Sequence, residues 1–262
     1  MYGILALVLA FSFFVLLGFV SRNEQFQVTK VSVSGNALVA QNEILTLVRS
    51  ALSGAYWGIF PKRNYLLLPK REIISTLETK IPAIDSAEIT RTSFSSINIS
   101  VRERTPFVLW CSENAEIKDA ETPCYFVERE GLIFLKAPDF SSEVYLRFTG
   151  QASSTRGIGG RFFSPERFRE FSFFLQSLRD LGLSPQVVSL KEGAAGVSDY
   201  SIKLASGALL LISDRINLEQ TLADITAFFT DPEIATTSSR FLDRADYIDF
   251  RFENKVYYKM RE

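Results

Sequence analysis

The chain contains no histidine, and that absence removes much chemistry at once. No Ser-His-Asp or Cys-His relay, no HExxH zinc helix and no imidazole proton shuttle can be assembled from it. Cysteine is confined to Cys111 and Cys124. An excess of either charge is also missing: 29 basic residues stand against 30 acidic ones, a net charge of −1. No strongly basic face is announced, which argues against nucleic acid as a partner. Internal repeats and low-complexity tracts are absent. Charge itself is absent from Met1 to Val20, the first charged side chain being Arg22.

That uncharged run is rich in Leu, Val, Ile, Phe and Ala. As a helix rising about 1.5 Å per residue it is long enough for about 30 Å of hydrocarbon. The rival is a cleaved secretion signal, which calls for a basic start, a shorter apolar core and a small-x-small site. The start here is uncharged, and Leu16-Leu17-Gly18-Phe19-Val20 offers no such site. An uncleaved anchor is the expectation. Basic residues on the flanks do not decide orientation, since Arg22 and Lys30 both follow the run. Cys111 and Cys124 lie thirteen residues apart. They read either as a disulfide stapling a hairpin, which an extracytoplasmic location permits, or as two unrelated thiols.

Beyond the run, Asn23–Gln25 reads as a polar hinge and Phe26–Ser34 as a strand closed by Gly35-Asn36. Ile44, Val48 and Leu52 mark an amphipathic helix ended by Gly54. Tyr56–Leu68 is apolar and irregular. Pro69 occupies the expected first position of a second helix, with Ile74, Leu77 and Ile81 along it and Pro82 stopping it. Two strands follow, Ile84–Arg91 and the alternating Ile97, Ile99 and Val101, with Ser93–Ser96 turning between them. The order is strand, helix, helix, strand, strand, closed by Glu103-Arg104-Thr105-Pro106.

From Phe107 the chain changes character. Tyr125–Val127 and Leu132–Leu135 flank the turn Glu128-Arg129-Glu130-Gly131. Gln151–Gly160 reads as a Ser/Gly-rich loop. Ser164 and Pro165 open a helix carrying Phe168, Phe171, Leu175 and Leu178. Gln186–Leu190, Tyr200–Leu204 and Ala208–Ile212 read as strands. Asn217 and Gln220 suggest a capping box before Leu218, Leu222, Ile225 and Phe229. An alternating segment with Ile248, Phe250, Phe252, Val256, Tyr258 and Met260 closes the chain.

Several other signals have plainer readings. Gly157-Ile158-Gly159-Gly160 lacks phosphate-loop spacing and reads as a loop. Asn98-Ile99-Ser100 matches a glycosylation acceptor by chance, within a strand. Lys62, Arg63, Lys70 and Arg71 bracket Tyr65–Leu68 and read as a solvated basic helix start rather than a lipid-headgroup surface. Asp85 with Glu88, or Glu128 with Glu130, lacks the pocket that a glycosidase pair needs. No catalytic residue, cofactor, metal or small-molecule substrate is expected.

Three motifs in the first unit carry a resemblance. They are Val31-x-Val33-x-Gly35-Asn36, Pro82-x-Ile84-x-Ser86-Ala87-x-Ile89 and Val101-x-Glu103-Arg104-x-Pro106. Two more lie beyond it: Phe126-Val127-Glu128-Arg129-Glu130-Gly131-x-Ile133-Phe134, and Tyr247-Ile248-Asp249-Phe250-Arg251-Phe252-x-Asn254-Lys255-Val256. In this order they resemble the FtsQ/DivIB family of bacterial division proteins. The turn Phe94-Ser95-Ser96 lacks a proline common there, and the motif around Tyr145–Gly150 is blurred, which implies a divergent member. The resemblance implies an α+β chain with a transmembrane helix at 1–21, a linker at 22–25, a POTRA domain (βααββ) at 26–106 and a strand-rich β domain with two packing helices at 107–262. It implies a scaffold at the division septum, not a catalyst, with its folded part extracytoplasmic. Small bitopic coiled-coil proteins, FtsB/DivIC-like and FtsL-like, are its implied partners, alongside membrane lipid around the span. The alternative is a POTRA-bearing accessory of secretion or outer-membrane assembly. The closing strand is the implied docking edge, with Tyr257 on it and Phe252, Val256 and Tyr258 sharing one face. A core role for the same residues stays open.

Overall fold

The computed structural model describes residues 2–112, 123–138, 144–150, 157–192, 198–213, 217–235, 238–253 and 255–261. Most of the expected 151–160 loop and Asn254 of the closing motif lie outside the described residues. Two compact units divide the chain, Met1–Arg104 and Thr105–Glu262. The fold class is the expected one, α+β, with an apolar N-terminal helix and a strand-rich second part.

The first unit begins with α1 (Tyr2–Ser21), whose only buried residue is Gly18. It then has β1 (Lys30–Ser34), α2 (Gln41–Leu52), β2 (Ala55–Tyr56), β3 (Phe60–Pro61), α3 (Lys70–Lys80), β4 (Ile84–Ser93) and β5 (Ser96–Glu103). The sheet order is β1-β5-β4, with β1 parallel to β5 and β4 antiparallel to it. Ile44, Val48 and Leu52 of α2 and Ile73 and Leu77 of α3 are buried, as are Ile97, Ile99 and Val101 of β5. Helical and strand periods therefore feed one core.

Three local expectations are corrected. The first strand starts at Lys30, because Asn23 caps a 3-10 turn at Glu24–Phe26 and Gln27 bridges to Asn64. Pro69 is the N-cap of α3 and not its first residue. The irregular stretch after Gly54 contains the β2–β3 hairpin.

The motifs of this unit brace one another. The Glu103 carboxylate accepts from the backbone N–H groups of Ala37, Leu38 and Val39 at 2.9, 2.7 and 2.8 Å, holding the loop into α2. Arg104 donates to the Pro82 carbonyl and to Asp85. Gly35 has φ +85°, and a side chain there would strike the Val101 carbonyl. Asn98 joins β5 to β1 through Ser32 and Ser34.

The second unit contains β6 (Val108–Ser112), β7 (Cys124–Val127), β8 (Ile133–Lys136), β9 (Arg147–Gly150), α4 (Pro165–Asp180), β10 (Pro185–Glu192), β11 (Ser198–Leu204), β12 (Leu209–Ser213), α5 (Leu218–Thr230), α6 (Pro232–Ala235), α7 (Ser238–Arg244), β13 (Ala245–Phe252) and β14 (Lys255–Met260). These strands form one nine-stranded sheet in the order β14-β13-β12-β11-β10-β9-β6-β7-β8. β9 runs parallel to both neighbours and alone joins the two halves of the sheet. Alternate residues Val188, Leu190, Tyr200, Ile202, Leu210, Ile212, Ile248 and Phe250 face Phe168, Phe171 and Leu178 of α4 and Ile225 of α5 in one core.

Ser164 caps α4 by accepting from the Arg167 N–H, and Pro165 is its first residue. Asn217 caps α5 through the Glu219 N–H, but Gln220 bonds to Asp224 instead of closing the capping box. Instead of two helices the unit has four among the described residues, since the short α6 and α7 follow α5.

Candidate partner-binding edge

β14 is the final strand of the sheet and hydrogen-bonds on one side only, to β13. Consecutive residues of an antiparallel strand direct their backbone groups alternately inward and outward. Half of the β14 backbone therefore faces away from the sheet. Among the described residues no strand pairs with that outer side.

The side chains on this hairpin divide between two faces, correcting the expectation that Phe252, Val256 and Tyr258 share one. The turn after Phe252 and a register shift between Asp249 and Phe252 place Phe252 opposite Lys255. The rings of Phe252 and Tyr257 meet edge-on, with centroids 5.2 Å apart. Val256 leans on the core, and Tyr258 lies opposite Ile248, its ring against Phe228 and Phe241 at 6.2 and 5.3 Å. A period of two holds only within one uninterrupted strand, and a slip of one residue sends a side chain to the other face. Phe252, Tyr257 and Tyr258 are each about half exposed. Phe228 and Phe241, the aromatic bed under Tyr258, carry no sequence mark that sets them apart from other core aromatics.

A charged clamp secures the strand behind this edge. Arg251 donates to Asp249 at 2.9 and 2.7 Å and reaches across to Asp199 of β11 at 3.0 Å. The bond to Asp249, followed by that to Asp199, pushes the guanidinium above the usual arginine value despite opposing desolvation. Asp249 is 5% exposed, and the guanidinium is its buried counter-charge. The Asp-x-Arg of the closing motif thus pins β13 to β11. Lys255 and Lys259 are exposed on β14, with Lys259 3.7 Å from Asp246.

At the opposite edge the start of β8 is covered. The Ile133 N–H donates to the Gly160 carbonyl at 2.9 Å, and the Gly159 N–H donates to Ile133 at 2.7 Å. The glycine cluster therefore serves as an edge cover. Cys111 and Cys124 are register partners across β6 and β7 and are joined by a disulfide. Of the paired carboxylates considered in the sequence, Asp85 pairs with Arg102 and Arg104, while Glu128 and Glu130 lie in the β7–β8 connection. Among the described residues no group of three or more acidic or thiol side chains is placed to hold a metal.

Residues 26–104 match the family model described as the POTRA domain, FtsQ-type. This segment is an FtsQ-type POTRA domain. The match supports the FtsQ/DivIB resemblance drawn from the motifs, and with it a division-related family. The Glu103, Arg104 and Gly35 contacts are thus the internal bracing of this POTRA domain, and its helix pair α2 and α3 shares the core with the sheet. No curated protein matches the chain. Among the described residues one helix, α1, is long and apolar enough to cross a membrane, and this fits a single-pass protein.

Proposed function

We propose that the chain is a bitopic scaffold of the bacterial division machinery. In this reading it holds small coiled-coil division proteins, FtsB/DivIC-like and FtsL-like, and through them helps control septal peptidoglycan synthesis. The bare edge of β14 carries the proposal. A partner segment adds a strand to it, gaining affinity from backbone hydrogen bonds, while the exposed Phe252, Tyr257 and Tyr258 select among partners. Lys255 and Lys259 discourage uncontrolled pairing and favour an acidic partner strand. The FtsQ-type POTRA match supports the pathway.

The same reading places residues 22–262 outside the cytoplasm, at the division septum. The Cys111–Cys124 disulfide supports that location, since such bonds persist in oxidising compartments. Thiol labelling of the native protein is expected only after reduction, and protease added to spheroplasts is expected to degrade the folded part.

Depletion tests the function. Cells losing the protein are expected to filament, with the protein concentrated at mid-cell beforehand. Normal division and uniform envelope distribution would sink the proposal. Crosslinking that recovered secretion or barrel-assembly components would move the chain to the alternative pathway.

A further inference from the structure

The β2–β3 hairpin lies along the last two turns of α1. Its Trp57 and Phe60 rings meet the Phe14 ring at centroid distances of 6.2 and 5.0 Å. Ile59 sits against Gly18, where any side chain would collide with it. As a 20-residue helix, α1 spans about 30 Å, the whole hydrocarbon thickness of a bilayer. Phe14 precedes the last residue, Ser21, by seven positions, a depth of about 10 Å at 1.5 Å per residue. If α1 spans, the rings packed against Phe14 lie below the bilayer surface.

From this we infer that the hairpin tip, with the neighbouring Leu66 and Leu67, is a second membrane-inserting element that seats the POTRA unit on the outer leaflet. Its occupant is the acyl chain of a bilayer phospholipid. A groove of about 640 Å³ lined by Phe14, Leu17, Trp57, Phe60 and Leu66 opens between α1 and the hairpin. Trp57 is 81% exposed and Leu66 70% exposed. Trp57 also has φ +50°, a conformation that bulky side chains rarely adopt.

Lipid tolerates a turn only if its backbone groups are satisfied. Here the Ile59 N–H bonds to the Tyr56 carbonyl at 3.0 Å. The carbonyls of Gly58 and Ile59 accept from the Arg22 guanidinium at 3.0 and 3.2 Å. Arg22, the first charge after the span, thus covers two carbonyls of the tip. Lys62 is engaged by Glu72, Arg63 by Gln27 and Lys70 by the Ile89 carbonyl. Three of the four cations that bracket this segment are thus engaged within the protein.

The inference rests on the spanning reading of α1, and the experiment separates the two. The full chain is reconstituted with neutral phosphatidylcholine, first in vesicles for flotation, then in nanodiscs carrying bromine on the acyl chains. Trp57 and Trp110 are the only tryptophans of the sequence, and Trp110 is buried in the second unit. Subtracting a Trp57→Phe variant isolates the Trp57 emission. Brominated chains are expected to quench most of that emission, while aqueous acrylamide leaves it intact. Quenching by acrylamide and not by bromine would place the hairpin in water and overturn the inference while the span stands. Failure of the parent chain to float would remove the span and the inference with it. A Leu66→Trp variant supplies a second probe at an exposed position, independent of how well Trp57→Phe folds. Its added emission must show the same bromine quenching, and acrylamide quenching alone there also overturns the inference.

Discussion

The two ends of the nine-stranded sheet are finished differently. At the β8 end, a disulfide ties β6 to β7 and the Gly159–Gly160 segment covers the edge at Ile133. At the β14 end, an ion-pair clamp fixes β13 to β11, and the last strand has no described partner beyond it. Both edges carry the same backbone groups. What separates them is cover. An exposed edge invites association, and a fold that hides one edge while leaving another bare restricts where a partner strand can add.

The largest expected effect comes from breaking the clamp. Arg251→Met leaves the buried Asp249 carboxylate without its partner and is expected to cost about 3 kcal/mol, read by urea unfolding. The guanidinium value is raised, so its contribution is complete below the ordinary arginine value and is lost only above the raised one. The stability difference between parent and variant is therefore expected to stay flat from neutral to moderately alkaline pH. At the covered end, Arg161→Met removes only one long bond to the Glu130 carbonyl from an exposed position, and should cost under about 1 kcal/mol.

Close behind is the covalent brace. Replacing Cys111 and Cys124 together by alanine reopens a loop with sequence separation 13. In the chain-entropy model the loss is about 3 kcal/mol, measured as a lowered urea midpoint under oxidising conditions. The covered edge itself yields to Gly159→Val, because Gly159 has φ +88°. A loss of about 1–3 kcal/mol is expected from the strained backbone, with faster amide exchange at Ile133.

The gentlest test leaves the sequence unchanged. Amide exchange along Lys255–Met260 should alternate between slow inward and fast outward groups in the free protein. Adding a docked partner should protect the fast set. The Ile133 amide should not change. If the fast set stays fast with partner bound, β14 is not the docking strand.

Much of this was legible in the sequence wherever a period or a cap was uninterrupted. Ile44, Val48 and Leu52 gave α2, and Ser164-Pro165 gave the start of α4. The motif Val101-x-Glu103-Arg104 was visible, but the work of Glu103 was not, because its three N–H partners lie more than sixty residues earlier. The β2–β3 hairpin escaped notice because Trp57 occupies a positive-φ position where turn chemistry leads one to expect Gly, Asn or Asp. β9 has four residues, and its place between β6 and β10 depends on pairing partners distant in sequence. For the candidate site, a terminal strand was readable as an edge. The assignment of its faces was not, because the turn after Phe252 and the register shift before it break the alternation.

The position of β9 also has a mechanical consequence. A scaffold gripped at β14 and tethered through the chain entering β6 transmits any pull across the sheet between them. That path narrows to β9, held by four register pairs to β6 and four to β10, all parallel. A pull along the strands shears these hydrogen bonds together, whereas the β13–β14 hairpin peels from its end one pair at a time. Under load the β13–β14 hairpin should therefore open before the sheet divides at β9.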